Sequence, residues 1–117
     1  MTMHGYIRAI KKSGQDGPFI EIDKPEITIG RSQECDIRVH LPKVSRLHAS
    51  INVEGDKVWL FNASKNPIKV KTSGKTILLL RSKRHALSDM DEFVIYERLF
   101  RYEGSYFLCF LGEYIIN

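Results

Sequence analysis

The sequence of 117 residues contains only two cysteines, Cys35 and Cys109, which lie far apart in the chain. A domain of this length buries roughly two-thirds of the surface of its unfolded chain, so it needs neither a disulfide nor a metal for stability. Residues 1–5 are followed at once by an alternating, charged segment, unlike a secretory signal peptide. We therefore expect a reducing compartment, two free thiols and no glycosylation at the sequon Asn62-Ala63-Ser64.

Motifs of catalysis and of metal binding are also missing. Cys35, His40 and His48 carry metal-binding atoms, but no Cys-x-x-Cys pair or second close histidine pair accompanies them. Ser45 and His48 lack a Gly-x-Ser-x-Gly context, and no Walker or dinucleotide-binding glycine run occurs. The sequence thus predicts no metal, no cofactor and no enzyme activity.

Long hydrophobic runs are absent as well. The most apolar stretch, residues 106–116, is interrupted by Gly112-Glu113, and a membrane-spanning helix needs about 20 apolar residues. We expect no membrane span. A last core strand at residues 106–111 is favoured over an exposed sheet edge that would pair with a partner in a phosphate-independent scaffold.

The sequence does contain many short segments in which apolar and polar residues alternate. Polar turns such as residues 13–18 and 54–56 separate these segments. Strands at this spacing predict an all-β fold, a β-sandwich of two sheets. The predicted strands are residues 6–11, 19–22, 26–29, 36–39, 49–53, 57–61, 68–71, 75–80, 93–96, 99–102 and 106–111.

The formal net charge of +4 favours anionic partners, although charge alone does not separate phosphopeptides from nucleic acid. The densest basic cluster is Arg81-Ser82-Lys83-Arg84-His85. Aromatic residues that could stack on bases are not interleaved with it, so we interpret it as a solvated loop. Nucleic-acid binding stays open as the alternative function.

Two groups suited to a phosphate follow predicted strands. Gly30 frees the backbone where one strand ends, and Arg31 then presents a planar, permanently charged fork. Further along, Ser45 offers a hydroxyl group and Arg46 a second cation. A phosphorylated residue carries close to two negative charges and three acceptor oxygens, which this combination can satisfy.

These residues resemble the forkhead-associated (FHA) family, whose motif runs Gly-Arg, then Ser-x-x-His, then a loop asparagine. Gly30-Arg31, Ser45-Arg46-Leu47-His48 and Ser64-Lys65-Asn66-Pro67 match its three parts. The surrounding pattern, including Phe100-Arg101-Tyr102-Glu103, is similar to the N-terminal FHA domain of the Ki-67 class of chromosome-associated proteins. The resemblance covers residues 4–103.

The resemblance implies a single FHA domain over residues 1–117, with binding loops at one end of the sandwich and residues 104–117 as an extension. It implies a module that binds phosphothreonine in kinase-phosphorylated partner proteins, and a nuclear location, chromosome-associated or nucleolar.

The resemblance also assigns roles to individual residues. The residues expected to hold the phosphate are Arg31, Ser45, Arg46, Ser64 and Lys65. Asn66 is expected to hold the peptide backbone, while Gly30 and His48 brace the loops. Lys65 departs from the family pattern, because many members have a threonine or serine there; its cation either replaces that hydroxyl or points to solvent.

Overall fold

The computed structural model describes residues 4–104, which form eleven β-strands and contain no helix. The strands are β1 (Tyr6–Ile10), β2 (Asp16–Glu21), β3 (Glu26–Gly30), β4 (Ile37–Arg38), β5 (Ala49–Glu54), β6 (Lys57–Asn62), β7 (Ile68–Thr72), β8 (Lys75–Leu79), β9 (Arg84–Ala86), β10 (Glu92–Ile95) and β11 (Arg98–Glu103). The strand predicted at residues 106–111, Cys109 and the rest of the extension beyond Gly104 lie outside the described residues.

The strands form two sheets. One has six strands in the order β2-β1-β11-β10-β7-β8, and the other has five in the order β4-β3-β5-β6-β9. The short pairing of β3 with β4 is parallel, whereas β3 and β5, and β5 and β6, pair antiparallel. This arrangement confirms the predicted all-β sandwich of two sheets.

The core lies between the sheets, because alternate residues of each strand point inward. Phe93 and Phe100 stack with their ring centroids 5.6 Å apart, and Phe93 is fully buried. Other side chains that are less than 2% exposed surround them: Ile7, Ile22, Ile27, Ile29, Ile51, Leu60, Ile68, Ile95, Val44 and Val70.

Two strands differ from the prediction. Strand β2 begins at Asp16, inside the segment predicted as a turn, because a register shift between Arg8 and Ile10 lets Asp16 pair with Ile10. Pro18 is tolerated there since β2 is an edge strand of its sheet. Strand β9 was not predicted, because the basic residues at its start give no apolar alternation.

The pairing registers bring four connections that carry predicted site residues or the basic cluster to one end of the sandwich, where the turns at residues 11–15 and 96–97 also lie. Gly30 pairs with Arg38, Ala49 with Asn62, and Phe61 with Arg84, so these strand ends are neighbours. The connections that leave them are residues 31–36, 39–48, 63–67 and 80–83. We call this the loop end.

We predict that Phe93→Ala lowers the free energy of unfolding by about 3–5 kcal/mol, because it leaves a large cavity between the sheets. Urea denaturation followed by tryptophan fluorescence measures the change. Leu78→Ala is the matched control: Leu78 is 59% exposed, so its truncation should change stability by no more than about 0.5 kcal/mol. Equal losses in the two variants would contradict the described core.

Candidate functional site

The first two connections of the loop end are joined through their backbones. The Arg31 amide donates to the Ser45 carbonyl at 2.9 Å, and the Ser32 amide donates to the Arg46 carbonyl at 3.1 Å. Gly30 lies where a Cβ atom would overlap the carbonyl oxygen of Arg46. The absence of a side chain at Gly30 therefore permits this close approach.

The side chain of Arg31 is held at one edge and open at the other. Its Nε donates to the Val44 carbonyl oxygen at 3.0 Å, and the residue is half-buried. Neither Arg31 nor Arg46 forms an ion pair with another residue in the 4–104 range. The terminal nitrogens of the Arg31 guanidinium form no hydrogen bond or ion pair within these residues.

His48 connects three loop-end segments from inside the fold. It is 4% exposed, and its Nδ1 accepts a hydrogen bond from the Ser45 amide at 3.2 Å. Its own amide donates to the Ile29 carbonyl at 2.8 Å, and its carbonyl accepts from the Ala63 amide at 3.0 Å. Burial lowers the pKa of His48, so the ring is neutral with its proton on Nε2.

The third part of the motif, residues 64–67, contains both exposed and buried side chains. Lys65 and Asn66 are exposed, and neither side chain forms a hydrogen bond or ion pair within the part of the chain that the structure describes. Ser64, by contrast, is 2% exposed, and its hydroxyl donates to Asn62 Oδ1 at 2.8 Å or to the Asn66 carbonyl at 2.9 Å. The hydroxyl of Ser64 thus serves the framework of the loop, which differs from the phosphate contact expected of it.

Arg38 and His40 join the site without having been predicted as site residues. Together with Arg31 and Arg46 they line a depression of about 240 Å³ in which Glu34 is the one acidic side chain. Arg38 Nε donates to the Arg31 carbonyl at 3.1 Å, because parallel pairing sets Arg38 beside Gly30. That pairing links two short segments across a loop and leaves no periodic signal in the sequence.

Two further observations concern metal ligands and membrane spans. Cys35 is a free thiol, and residues 4–104 contain no group of three or more His, Cys, Asp or Glu side chains that could hold a metal ion. Within the same range there is no helix that is long and apolar enough to cross a membrane.

The family of the chain follows from comparison with known proteins. The model of the FHA domain family matches residues 27–96, which is more than half of the chain. The chain belongs to the FHA-domain family.

Individual relatives agree with this assignment. Proliferation marker protein Ki-67 of Mus musculus is 38% identical over 106 residues, covering 90% of this chain and 3% of that protein, so the chain spans only a small part of this relative. The FHA domain of human APLF, solved with an XRCC1 bisphospho peptide, has a TM-score of 0.69 and 24% identity, and the match covers 86% of this chain and all of that one. Mycobacterium tuberculosis EmbR, solved with a low-affinity phosphopeptide, has a TM-score of 0.68 and 22% identity over 86% of this chain and 25% of that one.

The lowered pKa of His48 gives a prediction about pH. An unfolded chain binds a proton at His48 near the ordinary pKa of about 6.5, whereas the folded chain resists it, so stability present above that pH is lost as the pH falls. We predict that the free energy of unfolding of the native protein falls more steeply between about pH 7.5 and pH 5 than that of His48→Asn. The asparagine oxygen can accept from the Ser45 amide without titrating.

Denaturation in urea at a series of pH values measures this difference. His4, His40 and His85 are present in both proteins, so their contributions cancel. Parallel curves for the two proteins would show that His48 does not titrate in this range.

Proposed function

We propose that this domain is a non-enzymatic module that binds phosphothreonine-containing peptides and recruits its protein to kinase-phosphorylated partners. The observation that carries the proposal is the half-tethered guanidinium of Arg31. Its Nε is fixed to the Val44 carbonyl oxygen, while its terminal nitrogens have no counter-ion among the described residues. A cation that is oriented but unpaired is prepared for a bidentate contact with phosphate.

Groups near Arg31 offer the further hydrogen-bond donors and positive charge that a phosphate requires. Ser45 is half-buried beside the Arg31 backbone, and its hydroxyl makes no hydrogen bond within residues 4–104. Arg46 and Lys65 are exposed on either side and supply further positive charge. We assign direct phosphate contact to Arg31, Ser45, Arg46 and Lys65, and we give Ser64 the role of shaping the loop beneath them.

Asn66 is the group suited to the peptide main chain. Its carbonyl oxygen accepts from Asn62 Nδ2 at 2.8 Å and is also within 2.9 Å of Ser64 Oγ, so its backbone is fixed. Its exposed side-chain amide keeps one acceptor and two donor hydrogens, which can pair with the amide and carbonyl of an extended peptide.

The relatives support this proposal at different levels. The APLF and EmbR structures hold phosphopeptides on the same fold. The Ki-67 relative favours a nuclear, chromosome-associated protein as the owner of this domain.

We predict that Arg31→Ala weakens binding of a phosphothreonine peptide at least about tenfold, since charge-assisted hydrogen bonds contribute roughly 1.5–3 kcal/mol each. Isothermal titration calorimetry measures the affinity, and the dephosphorylated peptide should not bind. Lys71→Ala is the control, because Lys71 is an exposed cation of β7, away from the loop end. Unchanged affinity of Arg31→Ala would remove Arg31 from the site.

A second prediction tests which phosphorylated residue is bound. The FHA resemblance implies a small apolar niche for the threonine γ-methyl group, which phosphoserine lacks. Burying one methyl-sized group contributes on the order of 0.8 kcal/mol, and the unfilled niche adds a cavity penalty, so phosphoserine should bind at least severalfold more weakly. Fluorescence anisotropy on peptides matched in every other residue makes the comparison. Equal affinities would identify a generic anion pocket.

A further inference from the structure

The fourth connection of the loop end is a tight, preformed turn. Residues 80–83 are closed by a hydrogen bond from the Lys83 amide to the Leu80 carbonyl at 3.1 Å. Ser82, the third residue of the turn, has a φ of 64°, which is the conformation that a type II turn requires at that position and that usually selects glycine. A side chain at this φ is held by its surroundings, so the turn is fixed.

The surroundings that hold the turn are shared with the proposed phosphopeptide site. The Ser82 amide donates to the Asn62 carbonyl at 2.7 Å, and the Asn62 amide donates to the Lys83 carbonyl at 3.0 Å. The same Asn62 binds the Asn66 carbonyl oxygen through its side chain. The turn and the 63–67 loop are therefore anchored to one residue and form a single rigid surface.

This surface carries positive charge that nothing in the described chain neutralises. Arg81 and Lys83 are exposed, as is Lys65 in the adjoining loop, and none of the three forms an ion pair within residues 4–104. Many acidic residues lie instead toward the opposite end of the strands, including Asp23, Glu26, Asp56, Asp89 and Asp91. An anionic ligand would be drawn to the loop end by this asymmetry.

We propose that Arg81 and Lys83 form a second anion-binding subsite, which binds an acidic or phosphorylated side chain flanking the phosphothreonine in the same peptide. The proposal rests on the proposed function and adds a sequence preference to it. Because Asn62 bonds to both Ser82 and Asn66, we place the flank of a peptide held at Asn66 beside the 80–83 turn. The chemistry that Arg81 and Lys83 require is that of a carboxylate or a second phosphate.

Nucleic acid is the weaker candidate for the same cations. Two aromatic side chains of β6 lie beside β9: Phe61, which pairs with Arg84, is half-buried, and Trp59, which pairs with Ala86, has its ring covered by the Arg84 guanidinium at 3.8 Å and its Nε1 buried. The Trp59 ring is not open for stacking on a base. Arg84 itself forms an ion pair with Glu54 at 2.9 Å, so the unpaired cations of this cluster are those of the turn, Arg81 and Lys83.

The experiment compares three proteins: the native chain, Arg81→Gln/Lys83→Gln, and the control Lys71→Gln/Lys75→Gln. The control removes the same charge from the hairpin of β7 and β8 at the opposite end. Each is titrated by fluorescence anisotropy with phosphothreonine peptides whose flanks are neutral, carry aspartate or glutamate, or carry phosphoserine, placed in turn on either side. Thermal unfolding confirms that the variants fold.

We expect an anionic flank to tighten binding to the native and control proteins about two- to fivefold for each new charge pair, and the gain to shrink in high salt. In Arg81→Gln/Lys83→Gln the gain should disappear, while affinity for the neutral-flank peptide stays unchanged. A gain with phosphoserine but not with the acidic flanks would identify the subsite as one for phosphate, and a gain with both as one for anions generally; either supports the proposal.

Three outcomes overturn it. If neutral-flank peptides bind but anionic flanks give no gain, the subsite does not exist although the proposed function stands. If the turn variant keeps the flank effect, Arg81 and Lys83 do not bind the flank, and a loss of affinity for duplex DNA, titrated in parallel, would assign these cations to nucleic acid. If no phosphothreonine peptide binds the native protein, the proposed function fails and the subsite with it.

Discussion

The buried side-chain amide of Asn62 holds together the half of the loop end on which Lys65, Asn66, Arg81 and Lys83 are displayed. The residue has no exposed surface. Its Oδ1 accepts from the amide and hydroxyl of Ser64, each at 2.8 Å, and its Nδ2 donates to the carbonyls of Asn66 and Leu79 at 2.8 and 2.9 Å. An amide buried without these partners would carry a desolvation cost of roughly 1–3 kcal/mol, so the loops cannot shift independently of it.

The other half of the loop end, residues 31–48, is held in place by Gly30 and His48. Gly30 allows the Arg46 carbonyl to approach β3, and Nδ1 of the buried His48 ring accepts a hydrogen bond from the Ser45 amide. Backbone and buried groups make these contacts, so the exposed side chains of Arg46 and Asn66 are not consumed in holding the loops. The framework and the groups proposed to bind the ligand are thus separate sets of atoms, and the backbone that carries these groups loses little freedom when a ligand binds.

The sequence predicted those parts of the fold and the candidate site that have a local cause. It did not predict the parts that depend on pairing between distant strands. Gly30-Arg31 and the alternating strands could be predicted because a glycine before an arginine and a two-residue period each have a local cause. Arg38 reaches the site through a parallel pairing that has no periodic signature, and β9 begins in a run of basic residues. Asn62 was noticed only as part of a sequon, and Ser64 was expected to contact phosphate, whereas the structure shows both as the buried, hydrogen-bonded base of the loop.

Collecting Arg31, Arg38 and Arg46 around one depression opposes folding, since like charges repel and the depression contains only Glu34 as an acidic neighbour. The loops nevertheless keep this arrangement because their positions are set by backbone hydrogen bonds and by the apolar core, not by the charges. An anion that enters the depression relieves the repulsion and finds its partners already placed. In the proposed phosphate site, relief of this repulsion contributes to the binding free energy, and a doubly charged phosphate relieves more of it than a singly charged carboxylate.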